Sequence, residues 1–226
     1  LYDFVLSCVS NKDTAWDCGT GNGQVASILS NYFNNVIATD LCEAQIDNAT
    51  LADNINYIVT KSENSTISEN SVDLITSAQA VHWFDIENFY KEAKRVGREN
   101  AIIALWGYNR YRIDAVLDDI MDSFYSKFLD AYWHDTPRVF LANAYRTLPF
   151  DFEEIASPKL EIKVDWKLSQ IEGYLETMSS VQEYIKENQH DPVPDLMQEL
   201  MKEWHTDTYR EVTFPIFMRV GKIHKP

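Results

Sequence analysis

Along the first half of the chain, apolar positions switch between two periods. Short β-like runs at 14–18, 35–39, 55–60, 72–77 and 101–106 predict strands. Between them, Val25, Ile28, Leu29, Tyr32 and Phe33 fall on one face of a helix. Ile86, Phe89, Tyr90, Ala93 and Val96 repeat the pattern, and the opening LYDFVLSCV also reads as helical. The link SENSTISENS, between the third and fourth strands, is polar and loop-like. This alternation predicts an α/β fold: a mostly parallel sheet of about seven strands, covered by helices on both faces.

The second half changes character. Apolar residues from Val116 to Tyr132 keep helical spacing for more than four turns, predicting one long helix. An irregular aromatic stretch follows, YWHDTPRVFLANAYRTLPF. Residues 159–167 alternate like a strand, and helices are predicted around 169–177, 179–188 and 194–205. Val212, Phe214, Ile216, Met218 and Val220 alternate as a closing strand, expected antiparallel. Pro215 within it predicts a bulge or a locally unpaired position. No internal repeat or low-complexity tract is present.

Composition narrows the functional classes. The chain has 226 residues and 45% hydrophobic content, enough for a real core. Its formal net charge is −15, and no basic stripe is evident. That disfavours nucleic acid and anionic membrane as main partners. Cys8, Cys18 and Cys42 form no CxxC pair, so reduced cysteines in a cytoplasmic protein are expected. No apolar run approaches the roughly 18 residues of a membrane helix, and no signal peptide is visible. The chain starts without a methionine inside a helical pattern. A preceding segment is therefore expected, and a lost targeting sequence there stays open.

The chemistry concentrates in AWDCGTGNGQVA, residues 15–26, where Gly19, Gly21 and Gly23 follow Asp17. Glycine permits positive φ and close backbone approach, and the next helix offers free N–H groups. Dinucleotide folds prefer G-x-G-x-x-G, but the sixth position here is Gln24. No Lys-Ser/Thr follows, so a P-loop is excluded. Asp17 sits where a carboxylate suits an ammonium or a bound water, or simply caps the turn.

With Asp17 before it, this turn resembles motif I of the class I S-adenosylmethionine-dependent methyltransferases. Asp40 ends the second strand in NVIATD, like the acidic residue that binds both ribose hydroxyls in that family. Glu63 precedes Asp73 by ten residues, as in the family's adenine-bordering loop. SVDLITSAQAVHWFD, residues 71–85, is similar to the fourth-strand motif of a subgroup that includes trans-aconitate methyltransferase-like proteins. ALWGY, RTLPFDFEEI and SQIEGYLETMSSV extend the likeness over nearly the whole chain. Lys61 departs from it: many relatives have an acidic residue there, so adenine recognition would rest on the backbone near Ser62 and Glu63. The segment that usually precedes this fold is also absent.

The resemblance implies S-adenosylmethionine as cofactor and S-adenosylhomocysteine as product, with a small-molecule methyl acceptor carrying a carboxyl or hydroxyl oxygen. Cofactor binding is assigned to Asp17, Gly19, Gly21, Gly23, Asp40, Leu41, Ser62, Glu63, Ser77 and Gln79. His82, Trp83, Tyr108 and Arg110 are candidates for positioning the acceptor. Methyl transfer to a carboxylate needs no base, so His82 is read as packing or positioning rather than as a general base. Trp106 reads as part core and part pocket wall. Arg112, Arg138 and Arg146 are weaker candidates for a carboxylate clamp. His134 and Asp135 make no metal site, since no second ligand cluster is in range. One continuous domain is expected: 1–109 as a cofactor-binding core, 110–206 as a substrate cap with one core strand near 159–167, and 207–226 as the closing strand. A non-catalytic cofactor-binding sensor or partner subunit is the alternative. A nicotinamide-dependent oxidoreductase is disfavoured by Gln24 and Asp17.

Overall fold

The computed structural model describes residues 1–133 and 136–225. His134 and Asp135, weighed above for a metal, lie outside the described residues. In chain order the first elements are α1 (Tyr2–Cys8), β1 (Thr14–Cys18), α2 (Gln24–Leu29), β2 (Asn35–Asp40), α3 (Glu43–Asp47), β3 (Ile55–Val59) and β4 (Val72–Ala78). A single tight turn at Val81–Trp83 leads into α4 (Ile86–Val96), β5 (Gly97–Tyr108) and α5 (Ala115–Phe124). Then come α6 (Thr136–Ala142), β6 (Glu153–Ile155), β7 (Leu160–Trp166), α7 (Leu168–Glu176), α8 (Ser179–Asn188), α9 (Val193–Glu203) and β8 (Arg210–Lys222).

The sheet runs β3-β2-β1-β4-β5-β8-β6, with β7 paired to β8 off this path. Pairs β1–β2, β2–β3, β1–β4 and β4–β5 are parallel. β8 runs antiparallel to β6. The chain steps outward from β1 to β2 and β3, then returns to lay β4 against the other side of β1. Between β1 and β4, then, the strand order reverses. In open α/β sheets ligands bind at that point, beyond the carboxyl ends of the strands.

Two compact units divide the chain. The first comprises 1–107, 143–160 and 217–226; the second comprises 108–142 and 161–216. In the first, β1, β4 and β5 bury Trp16, Leu74, Ile75, Ile102, Ile103 and Leu105 completely. These are near-continuous apolar runs, as strands covered on both faces require. α4 presents Phe89, Tyr90, Ala93 and Val96 inward, the residues its periodicity selects. Asp85 caps its first turn by accepting from the Asn88 amide at 3.3 Å, and Lys94 and Arg95 sit at its carbonyl end. At the amino ends of the strands, buried Asp73 accepts from the Asp13 and Thr14 amides at 3.0 Å each and pairs with Arg98 at 2.8 Å. This ties β1 to β4 far from the glycine turn.

The second unit has its own core, including Tyr111, Leu117, Met121, Tyr125, Leu129, Ile171, Leu200, Trp204 and Phe214. Asp114 caps α5 through the Val116 and Leu117 amides, both at 3.1 Å. The long helix expected to Tyr132 does not persist. α5 ends at Phe124, a widened turn spans Tyr125–Leu129, and a tight turn covers Asp130–Trp133. The widened turn shifts the helical phase so that Tyr125 and Leu129 both stay buried. Apolar periodicity alone does not register that change of pitch. Two elements went unforeseen: α6, inside the irregular aromatic stretch, and β6, which at three residues is too short for a pattern. With β6 the strands number eight among the described residues. β8 continues through Pro215, whose side chain is exposed.

Candidate functional site

β1 delivers the glycine turn to the point of strand reversal. All three glycines have left-handed backbone, with φ of 66° at Gly19, 56° at Gly21 and 81° at Gly23. Their surroundings differ. A Cβ on Gly19 would lie 2.4 Å from the Ala80 Cβ, and one on Gly23 would lie 2.1 Å from the Tyr57 hydroxyl. A Cβ on Gly21 would meet nothing closer than 3.9 Å. Gly19 and Gly23 are thus required by the protein's own packing. Gly21 alone faces open space that something else can approach.

Two carboxylates hold the turn. Asp40, at the end of β2, accepts from the Gly21 amide at 2.8 Å through one oxygen and from the Cys42 amide at 2.9 Å through the other. The Gly19 and Thr20 amides donate to the Thr39 carbonyl at 2.8 and 3.0 Å. Asp17 lies beneath the turn, 1% exposed. It accepts from the Thr20 hydroxyl at 2.6 Å and the Thr76 hydroxyl at 2.7 Å, joining the turn to β4. Its carboxylate therefore faces inward and organises the turn from below.

Burial pushes the Asp17 carboxyl up to about 6, against the pull of the hydrogen bonds from Thr20 and Thr76. Its folded pKa lies above the unfolded one. The associated stability is complete below about pH 4 and is lost as pH rises through about 6. Chemical denaturation across that range should show a loss of roughly 3 kcal/mol, from a shift of about two pH units. Asp17→Asn should flatten the curve there. An Asp17→Asn curve that changes across this range just as the wild-type curve does overturns the assignment.

β4 supplies the other wall. Ser77 is fully buried near its carboxyl end, and the Ser77 Oγ finds no hydrogen-bond partner among the described residues. Gln79 follows with φ of 54°, a left-handed conformation that costs a non-glycine residue about 1 kcal/mol. Its amide donates to the Trp106 carbonyl at 2.9 Å. The turn that follows buries His82 and exposes Trp83. His82 Nδ1 lies 3.0 Å from the Tyr145 hydroxyl. Ser62 is buried and Glu63 half-buried in the loop after β3. Glu63 accepts from the Asp85 amide at 2.9 Å, which fastens that loop to the start of α4. Buried Glu92 on α4 holds the same loop through the Ser65 amide at 2.8 Å and hydroxyl at 2.6 Å. Leu41 is exposed beside Asp40.

Of the fourteen residues expected at the site, the ten assigned to the cofactor lie in the first unit, together with His82 and Trp83. Tyr108 and Arg110 belong to the second. There Arg110 pairs with Asp130 at 2.5 Å and lies over the Tyr125 ring at 4.3 Å. Arg112 pairs with Asp122 at 2.8 Å. Arg110 and Arg112, both considered for a substrate clamp, are thus engaged by carboxylates of their own unit. Among the described residues no cluster of His, Cys, Asp and Glu could hold a metal, and no helix is long and apolar enough to cross a membrane.

Sequence reasoning missed three contributors. Tyr57 packs against Gly23 and donates to the Thr50 carbonyl at 2.7 Å. Tyr2 of α1 meets Trp106 edge to face at 6.1 Å. Burial and then the Asp17 charge push its hydroxyl up to about 12. Tyr145 is the third, 63 residues from its partner. No local pattern marks any of them, because each reaches the site by long-range packing.

Comparisons with known proteins decide what this arrangement belongs to. A family profile described as a methyltransferase domain matches residues 16–105. A relative from Dictyostelium discoideum named as a methyltransferase is 31% identical over 230 aligned residues, covering 98% of this chain and 87% of the relative. The chain belongs to the class I S-adenosylmethionine-dependent methyltransferases. A solved structure of a type II methyltransferase from Anaeromyxobacter dehalogenans superposes with a TM-score of 0.92 at 34% identity, covering all of this methyltransferase and 96% of that chain. The YcgJ protein of Bacillus superposes with a TM-score of 0.57 at 16% identity and shows the same fold. The profile ends at 105, near the end of β5. The methyltransferase thus shares with its wider family the segment that carries the glycine turn, Asp40 and His82.

Proposed function

We propose that the protein transfers a methyl group from S-adenosylmethionine to the carboxylate or hydroxyl oxygen of a small molecule. The observation that carries this reading is the glycine turn. It leaves Gly21 open while Gly19 and Gly23 are closed by Ala80 and Tyr57, and it stands beside Asp40. The unpartnered Ser77 hydroxyl, buried at the other wall, is a second polar group suited to a ligand. A yeast relative matched over part of this chain, at 29% identity, carries a name that specifies S-adenosylmethionine dependence.

Asp40 would bind the ribose hydroxyls with the lone pairs its amide contacts leave, while holding Gly21 in place. Leu41, Ser62 and Glu63 would border the adenine. Ser77 and Gln79 would face the methionine end. Asp17 would act through the turn it supports. Bound there, S-adenosylmethionine would supply an electrophilic methyl on a positively charged sulfur and would leave as a neutral thioether. The residues need only align the acceptor and exclude water. A carboxylate acceptor releases no proton, so the transfer would ask no general base of the site. The likeness of residues 71–85 to trans-aconitate methyltransferase-like proteins favours that acceptor class.

Isothermal titration calorimetry tests the cofactor, and S-adenosylhomocysteine release tests the reaction against a panel of small carboxylic acids and alcohols. Micromolar binding of S-adenosylmethionine and product release with a carboxylate are expected. Tight binding without turnover across the panel would favour a sensor or partner subunit. Thermal stabilisation by NAD alone would overturn the reading.

A further inference from the structure

Residues 60–71 join β3 to β4 without a helix or strand of their own. The stretch is polar, and Ile67 is its one apolar side chain. Hydrophobic packing therefore has little to hold it by. Ser62, Ser65 and Ile67 are nevertheless buried. A long irregular loop keeps such a shape only where its polar groups are satisfied in place.

The grip comes from α4, and it is complementary. Buried Glu92 accepts through Oε1 from the Ser65 amide at 2.8 Å and the Ser65 hydroxyl at 2.6 Å. That hydroxyl accepts in turn from the Ile67 amide at 3.2 Å. Arg95, one helical turn on, donates through Nη2 to the Ile67 carbonyl at 2.7 Å and the Ser65 carbonyl at 3.4 Å. The two side chains also lock each other, Nε to Oε2 at 2.8 Å and Nη2 to Oε1 at 2.7 Å. The acid thus takes the loop's donors and the base takes its acceptors. Burial acts to raise the Glu92 carboxyl. The hydrogen bonds from Arg95 and Ser65 prevail and hold it below the usual carboxylate range, so it is ionised at neutral pH.

Further contacts lay the loop along the helix. At the start of α4 the Asp85 amide donates to Glu63 at 2.9 Å. At its end the Asn70 and Ser71 amides donate to the Arg95 and Val96 carbonyls at 3.1 and 2.8 Å. Where the loop leaves β3, the Thr60 amide donates to the Asp40 carbonyl at 3.0 Å. Ser62 and Glu63 are therefore held between Asp40 on one side and Glu92 on the other.

A buried carboxylate is a costly way to stabilise a protein, because its desolvation offsets much of what the ion pair returns. What it provides here is a fixed backbone shape. On the methyl-transfer reading that shape matters directly. Lys61 carries donors and no acceptor, so the polar edge of the adenine falls to the backbone near Ser62 and Glu63. A backbone group has no rotamer with which to correct a misplaced loop.

We propose that Glu92, braced by Arg95, is a positioning residue that pre-forms the adenine-bordering loop and so sets the enzyme's selectivity for the purine edge of its methyl donor. The anchor belongs to the structure itself; the role toward adenine rests on the methyl-transfer reading above. Pre-forming the loop lowers the ordering cost of binding and keeps a wrong base from reshaping it.

Isothermal titration calorimetry with S-adenosylhomocysteine and S-inosylhomocysteine tests this. Hypoxanthine in the second probe swaps donor and acceptor along the adenine edge and leaves the rest of the molecule intact. The wild type should bind the adenine form about tenfold more tightly or better, the scale of one hydrogen bond. In Glu92→Gln the amide must present a donor either to Ser65 or to Arg95, so the preference should narrow to about threefold or less. Ser65→Ala, which removes only a hydroxyl, should narrow it in the same direction. A merely structural role would weaken both probes alike; an unchanged ratio in the variants overturns the proposal. Amide hydrogen exchange without ligand reads the anchor alone. The Ser65 and Ile67 amides should exchange about tenfold faster in Glu92→Gln, and unchanged protection also overturns the proposal. If Glu92→Gln does not fold, the ratio in Ser65→Ala decides. A wild type that binds both probes equally overturns the selectivity role alone. One that binds neither overturns the methyl-transfer reading and this role with it.

Discussion

Gly19→Ala is expected to lower the melting temperature by about 10 °C, whereas Gly21→Ala should lower it by only about 3 °C and yet abolish most cofactor binding. Both substitutions carry the left-handed backbone penalty of about 1 kcal/mol or more. At Gly19 the new Cβ also meets the Ala80 Cβ at 2.4 Å, with Phe84 at 3.2 Å. The Ala80 Cβ is fixed to the backbone and cannot swing away, so overpacking adds roughly 1–3 kcal/mol. At Gly21 the Cβ enters open space, 3.9 Å from the Gln45 side chain. That space is where the ligand backbone approach is proposed, and affinity for S-adenosylmethionine should fall about 100-fold there. Differential scanning calorimetry and titration calorimetry on the two variants separate the effects. Normal binding by Gly21→Ala would show that no ligand uses that opening.

Asp40→Ala should weaken S-adenosylmethionine binding by about 100-fold or more, with a smaller loss of stability. The carboxylate does two jobs in the proposed site. It fixes the turn through the Gly21 amide at 2.8 Å and the start of α3 through the Cys42 amide at 2.9 Å. Hydrogen bonds to a charged group contribute about 1.5–3 kcal/mol each when buried, and less at this half-exposed position. Removing both should cost about 1–2 kcal/mol of stability, and removing the ribose contacts accounts for the remaining loss of affinity. Asp40→Asn discriminates further. Its amide retains one acceptor oxygen, so it should keep one backbone contact and part of the stability while losing most of the ribose binding. An unchanged dissociation constant in Asp40→Ala would remove Asp40 from the site.

The strands and amphipathic helices of the first unit were legible because their apolar residues repeat at periods of two or 3.6, and a local pattern encodes a local face. The glycine turn was legible for a related reason: positive φ is a local demand that glycine meets at low cost. Less legible were elements whose form depends on distant neighbours. The α5 helix keeps its apolar spacing to Tyr132, yet its pitch changes at Tyr125, where the packing of the second unit sets which side chains stay buried. Tyr57, Tyr2 and Tyr145 lay in strands, helices or irregular stretches that advertised nothing, and each became part of the site by contact across the fold. Arg110 and Arg112 looked like candidate clamps as cations beyond a strand. Asp130 and Asp122 claimed them once the second unit had formed.

By itself, the sequence determined the α/β class, the glycine turn and the two acidic strand ends, because these depend on residues close together in the chain. The tertiary structure decided the strand order β3-β2-β1-β4-β5, and with it where the crevice lies. It also decided which glycines the protein closes with its own side chains and which it leaves open, and it turned Asp17 inward and set Tyr145 against His82. Those outcomes follow from steric and hydrogen-bond demands between segments as far as 63 residues apart, which no window along the chain contains.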